Sequence, residues 1–230
     1  MPRILLHQWE MSPFCNKARR CLSWKGLDYE VKDYNGLLAR KAAALSPAGK
    51  LPVLDYDGER IQDSGRIAAF LDRKHPARPL FPKDPQTLAK VRVWDDWAGQ
   101  SLYFYEIYFR MLDPVSLERG LALICKGRPA WERMVLRAVF KRRYPKKLAQ
   151  QGLARLPRAE VERQFFELLG ALDTVLAGRQ WLAGGDLSIA DLSVAAQLSE
   201  FVRTSDLAPR VLALAHLKGW LDRCDQAAPA

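Results

Sequence analysis

Four prolines within ten residues, Pro76, Pro79, Pro82 and Pro85, divide the chain into two parts that cannot share one architecture. Each proline fixes φ and removes a backbone N–H, so neither a helix nor a central strand runs through this stretch. It reads as a linker over 77–85. Before it, strand and helix patterns alternate over 1–76. After it, 86–230 carries only helical patterns separated by Gly and Pro breakers. The expected fold class is an α/β domain followed by an all-α helical-bundle domain.

The first part opens with an apolar strand from Arg3 to His7. Ser12 then serves as an N-cap with Pro13 at the first helical position, and Ala18, Cys21, Leu22 and Trp24 recur at helical spacing up to Gly26. Tyr29 to Lys32 alternates as a second strand, and a short helix spans Leu37 to Ala44. Strands at Leu51 to Leu54 and Glu59 to Gln62 flank Asp57-Gly58, a hairpin signal. A helix from Ser64 to Lys74 closes the unit. The order βαβ, α, ββ, α predicts a small mixed sheet with helices on both faces.

Beyond the linker, helices are expected at about 86–111, 115–125, 130–144, 158–177, 189–203 and 208–223, with Pro145 ending the third. Ser188 and Asp191 form a capping box ahead of Leu192, Val194 and Leu198, a structural device rather than a reactive one.

The net charge of +10 is concentrated in one segment: residues 113–150 hold ten Lys/Arg against three Asp/Glu. The run Lys141-Arg142-Arg143-Tyr144-Pro145-Lys146-Lys147 reads as a solvated helix end complementing the C-terminal dipole, or else as a contact for nucleic acid or a membrane surface. No uncharged apolar stretch nears the 18 residues a membrane helix needs, and Ile4-Leu5-Leu6 is too short for a signal-peptide core, so a cytoplasmic location is expected. Cys15, Cys21, Cys125 and Cys224 have no paired or metal-ligand spacing, which predicts reduced thiols and no metal.

Taken together, the pieces resemble the cytosolic glutathione transferase superfamily, with its thioredoxin-like front domain and helical back domain. Ser12-Pro13-Phe14-Cys15 stands at the strand-to-helix turn, Lys50-Leu51-Pro52-Val53-Leu54 looks like the family's cis-proline segment, and Gln62-Asp63-Ser64 looks like its acidic–serine pair opening a helix. The Ser188 to Asp191 box matches its folding motif. Segment 113–150 matches nothing alignable.

The resemblance implies an enzyme, with glutathione as co-substrate bound by 1–76 and a small-molecule electrophile held against 86–230. It implies a detoxifying role and a homodimer. Pro52, if cis, would turn Val53 so that its N–H and C=O meet the extended tripeptide. Asp63 is expected at the ammonium, Ser64 with the helix N-terminus at the α-carboxylate, and Lys50 at the glycyl carboxylate. Ser12 is the expected catalytic residue, since a hydroxyl donor plus a helix N-terminus lowers a thiol pKa. Cys15 is the alternative, a nucleophile for thiol transfer or peroxide reduction, if its sulfur is exposed. Phe14, Trp97, Ser101 and Tyr105 are the expected second pocket, the last three from i, i+4 spacing on one helix face. A third reading is a non-catalytic adaptor that binds a partner through 113–150.

Overall fold

A computed structural model describes residues 2–230. Apolar Ile4–Gln8 forms β1 at the centre of a four-stranded sheet of order β2-β1-β3-β4, with β2 at Glu30–Asp33, β3 at Val53–Tyr56 and β4 at Glu59–Gln62. The β1–β2 pair is parallel, and β1–β3 and β3–β4 are antiparallel. This is the thioredoxin-like mixed sheet. Helix α1 (Pro13–Trp24) makes the parallel crossover, and α2 (Ser64–Lys74) closes the unit. The segment Gly36–Ala44 is a 3-10 helix, tighter than the expected α-helix.

The rest of the chain is helical: α3 (Pro85–Trp97), α4 (Tyr103–Leu112), α5 (Pro114–Ile124), α6 (Ala130–Gln151), α7 (Arg158–Leu176), α8 (Ile189–Thr204), α9 (Ala208–Leu212) and α10 (Ala215–Ala227). The expected helix 208–223 is two helices, and the expected 86–111 is broken by one π-helical turn at Ala98–Leu102.

The larger departure concerns Pro145. Instead of ending a helix it sits inside α6, which runs on to Gln151 and stops at Gly152, whose φ of 119° is left-handed. Pro145 is exposed, so the carbonyl that loses its N–H partner is left on the solvent side. The basic run therefore lies in mid-helix, and a C-terminal dipole does not account for it.

The two units meet through α1 and α8. Asn16 donates to Glu200 at 2.8 Å, and Arg20 reaches Ser199, Asp225 and the Ala228 carbonyl from a site 1% exposed. At the start of α8 the expected capping box is present. Asp191 accepts from the Ser188 N–H and hydroxyl, both at 3.0 Å, and also from the Leu182 N–H and the Trp220 indole, both at 2.9 Å.

Candidate functional site

One edge of the sheet gathers three chain turns. The register that sets Val53 against both His7 and Gln62 brings the exit of β1, the entry of β3 and the exit of β4 side by side. These ends carry Ser12, Pro52 and Asp63. Ser12 caps α1: its Oγ accepts from the Cys15 N–H at 3.4 Å, while its own N–H donates to the Trp9 carbonyl at 2.9 Å. That cap bond is long, and the hydroxyl also lies within hydrogen-bonding reach of the Cys15 thiol. The Leu51–Pro52 bond is cis.

Val53 does not suit the role expected of it. It is fully buried as the first residue of β3, with strands on both sides, so no open edge remains there for a ligand backbone. Leu51, on the other side of the cis bond, is half-buried and outside the strand, and its backbone N–H and C=O find no partner among the described residues. The expectation took the residue after the cis proline, whereas the unpaired backbone belongs to the residue before it. Asp63 holds a left-handed φ of 76°, tied by its N–H to the Pro52 carbonyl at 3.3 Å and by Oδ1, which accepts from the Gly65 and Arg66 N–H groups. It caps α2 with one oxygen and keeps the other exposed. Ser64, behind it, is buried, and Lys50 is exposed.

Cys15 is fully buried, and its Sγ accepts from the Trp9 N–H at 3.4 Å. Burial pushes its thiol up to about 11, against smaller lowering by that N–H, the Ser12 contact and Arg19. At neutral pH the reactive thiolate is then almost absent, and the sulfur has no route to solvent. The exposure on which the thiol-transfer reading depended is missing. All four cysteines are free and buried.

Against these turns packs helix α6, from the segment that the sequence read as a solvated helix end or a partner contact. Helix α6 lays Glu132, Leu136 and Phe140 inward at four-residue spacing, and Leu148 two turns further on. Glu132, 2% exposed, accepts from the Leu37 N–H at 2.9 Å and from Arg128 at 2.5 Å. Gly36, with φ 61°, is required there twice over: a Cβ would collide with the Glu132 carboxylate, and the backbone is left-handed. Further along, Phe140 meets Trp9 edge-on at 6.4 Å, and Lys147 Nζ lies 5.2 Å and 5.7 Å from the ring centroids of Tyr103 and Phe104.

The aromatic wall differs from the expected one. Phe14 does face it, but the ring it meets is Tyr103, at 5.0 Å. Tyr105 turns into the helical core, stacked on Phe165 at 5.6 Å with its hydroxyl donating to Gln164 at 3.3 Å. Trp97 packs edge-on against Trp94, and Ser101 is half-buried within the π turn. The extra residue of a π turn rotates all that follows by about 100°, so a face counted at i, i+4 across it is the wrong face.

Two family models match the chain: glutathione S-transferase N-terminal domain over 6–79 and glutathione S-transferase C-terminal domain over 135–226. The chain belongs to the glutathione S-transferase family.

Among relatives, a glutathione S-transferase-like protein, LUC7, of Fusarium sp is 30% identical over 75% of this chain. A glutathione S-transferase of Pseudomonas putida is 26% identical over 54% of it. The matches span 66% and 60% of those proteins, less than two thirds of each. The theta class glutathione S-transferase of Xanthomonas axonopodis pv. citri, solved with glutathione bound, superposes with a TM-score of 0.67 at 20% identity, over 100% of this chain and 99% of that one. At that identity the likeness shows the fold. In this glutathione S-transferase-family chain, residues 80–134 lie outside both family matches, and they include α5 and the Glu132 end of α6.

Sequence reasoning missed Leu51, Tyr103, Glu132 and Lys147. A four-residue inward stripe was legible in 132–148, but the expected stop at Pro145 cut Lys147 and Leu148 off it.

Proposed function

We propose that this chain is a glutathione transferase that joins the glutathione thiolate to an aromatic electrophile. The observation that carries the reading is the meeting of Ser12, the cis Leu51–Pro52 turn and the N-terminus of α2 at one sheet edge. The tripeptide backbone pairs with the free N–H and C=O of Leu51 as a short strand would. Ser64 and the first N–H groups of α2 take the α-carboxylate, the free Asp63 oxygen takes the ammonium, and Lys50 takes the glycyl carboxylate.

Ser12 donates its hydroxyl proton in a hydrogen bond to the sulfur. A thiol of pKa about 8.5 is little ionised at neutral pH, and this bond with the α1 N-terminus lowers it by about two units. The thiol proton goes to solvent. The sulfur lone pair then forms a C–S bond as the leaving group departs with its electron pair. Phe14 and Tyr103 form the wall against which the electrophile stacks, and the working unit is a homodimer.

Calorimetry with glutathione tests this. Wild type is expected to bind in the micromolar to millimolar range, with Ser64→Ala several-fold weaker. Ser12→Ala is expected to keep binding but to lose thiolate absorbance at neutral pH and about 25-fold in kcat, the fall in thiolate fraction at pH 7 when the thiol pKa returns from about 6.5 to about 8.5. Cys15→Ser leaves conjugation within a few-fold. No binding at millimolar glutathione would sink the reading.

A second reading is favoured by the outer face of α6, which exposes Trp131 and Met134 and, two to three turns further on, Lys141 and Arg142, neither of which has a carboxylate partner among the described residues. That combination suits an anionic lipid surface. Salt-sensitive adsorption to phosphatidylserine vesicles, lost in Lys141→Glu/Arg142→Glu, is its test.

A further inference from the structure

Lys147 on α6 feels two further cations, Arg143 one turn before it on the same helix and Lys50 beside the cis proline. None has a carboxylate within 4.0 Å among the described residues. Lys147 is the informative one. It is half-buried, its ammonium lies over Tyr103 and Phe104, and Tyr103 in turn touches Phe14, two residues from Ser12.

Burial first, then the like charges of Arg143 and Lys50, lower the Lys147 pKa, so the three positive fields overlap at this spot. Burial and like charges disfavour the charged ammonium, the ring faces offset part of that cost, and a paired anion would offset more. The nearby rings supply a flat apolar surface, and the faces of Tyr103 and Phe104 already orient the ammonium. Glutathione accounts for one anion here, its glycyl carboxylate at Lys50. Lys147 instead lies over the rings of Tyr103 and Phe104, on the helical unit.

We propose that the second pocket selects an aromatic electrophile bearing an anionic group, whose charge pairs with Lys147 while its ring stacks against Phe14 and Tyr103. The inference deepens the transferase reading and rests on it for the word electrophile. The binding preference itself does not depend on glutathione.

The test is calorimetry with 4-chloro-3-nitrobenzoate and its methyl ester, each with and without glutathione, on wild type, Lys147→Met and Lys147→Arg. The two ligands share a ring and leaving group and differ in charge. Wild type is expected to bind the acid about tenfold more tightly than the ester, the scale of one charge-assisted contact. Lys147→Met is expected to erase that preference while leaving ester and glutathione affinities within about twofold, and Lys147→Arg to retain it. Circular dichroism melts confirm that the variants are folded.

Equal binding of acid and ester by wild type, or binding of neither, overturns the proposal. So does a Lys147→Met variant that loses glutathione affinity in place of acid affinity, since Lys147 would then belong to the glycyl carboxylate. Loss of glutathione binding in wild type with the acid preference intact would refute the transferase reading alone and uphold an anion-selective pocket.

Discussion

At the scale of single residues, buried charge is the dominant theme. Glu106 is 1% exposed beside Arg110, whose Nη1 lies 2.8 Å from its carboxylate yet aims its N–H at the Met11 carbonyl at 2.9 Å. Neither Glu106 oxygen receives a hydrogen bond. Burial therefore pushes its carboxyl up to about 8, with Arg110 opposing and Glu200 adding to the rise. A carboxyl raised in the folded state keeps a proton that the unfolded chain releases near its ordinary value of 4.5. Stability from this group is therefore full below about pH 4.5, declines as pH rises toward about 8, and is flat beyond. Melting temperatures at pH 5 and pH 8 should show that decline in wild type, and Glu106→Gln should reduce it. An unchanged slope would mean that Glu106 is ionised throughout. The stake is positional, because Arg110 holds the carbonyl of the residue before Ser12.

At the scale of elements, caps and interruptions decide which face a helix presents. The α8 cap is local enough to be legible, since Ser188 and Asp191 are three residues apart. Its further bonds to Leu182 and Trp220 are not, because Trp220 comes from α10. Asp191→Ala strands three buried N–H donors at once. The expected loss is about 3 kcal/mol or more, a fall in Tm of roughly 6–12 °C for a chain of this size, measurable by calorimetric melting. A loss below about 1 kcal/mol would mean that water replaces the carboxylate. The π turn shows the opposite case. Nothing in Ala98-Gly99-Gln100-Ser101-Leu102 forbids an α-helix, so the phase slip that presents Tyr103 to Phe14 had no local signal.

At the scale of the whole molecule, α6 ties the two units together over the candidate site. It contacts the front unit at two points, Glu132 on the Gly36–Leu37 backbone and Phe140 on Trp9. Gly36→Ala should dislodge the first. Hydrogen exchange is expected to rise selectively in 128–140, with the sheet's protection unchanged and glutathione affinity altered. Exchange rising evenly through the sheet would instead indicate that Gly36 serves only its own turn. The α1–α8 contact behaves otherwise: it buries Arg19, Arg20 and Asn16 in paired networks that fix how the units sit.

The βαβ–ββα order, the hairpin at Asp57-Gly58 and the caps at Ser12 and Ser188 follow from sequence, because each rests on residues within a few positions of one another. The turn at Pro52 and the start of α2 at Ser64 were legible for the same reason, through their short motifs. Contacts between distant segments were not. The turn of Tyr105 into the core, the unpaired backbone of Leu51 beside the cis bond and the packing of Lys147 over Tyr103 and Phe104 depend on helix phase and on contacts between distant segments. Local propensity carries no information about those, since the energy that selects them comes from surfaces that meet only once the chain has folded.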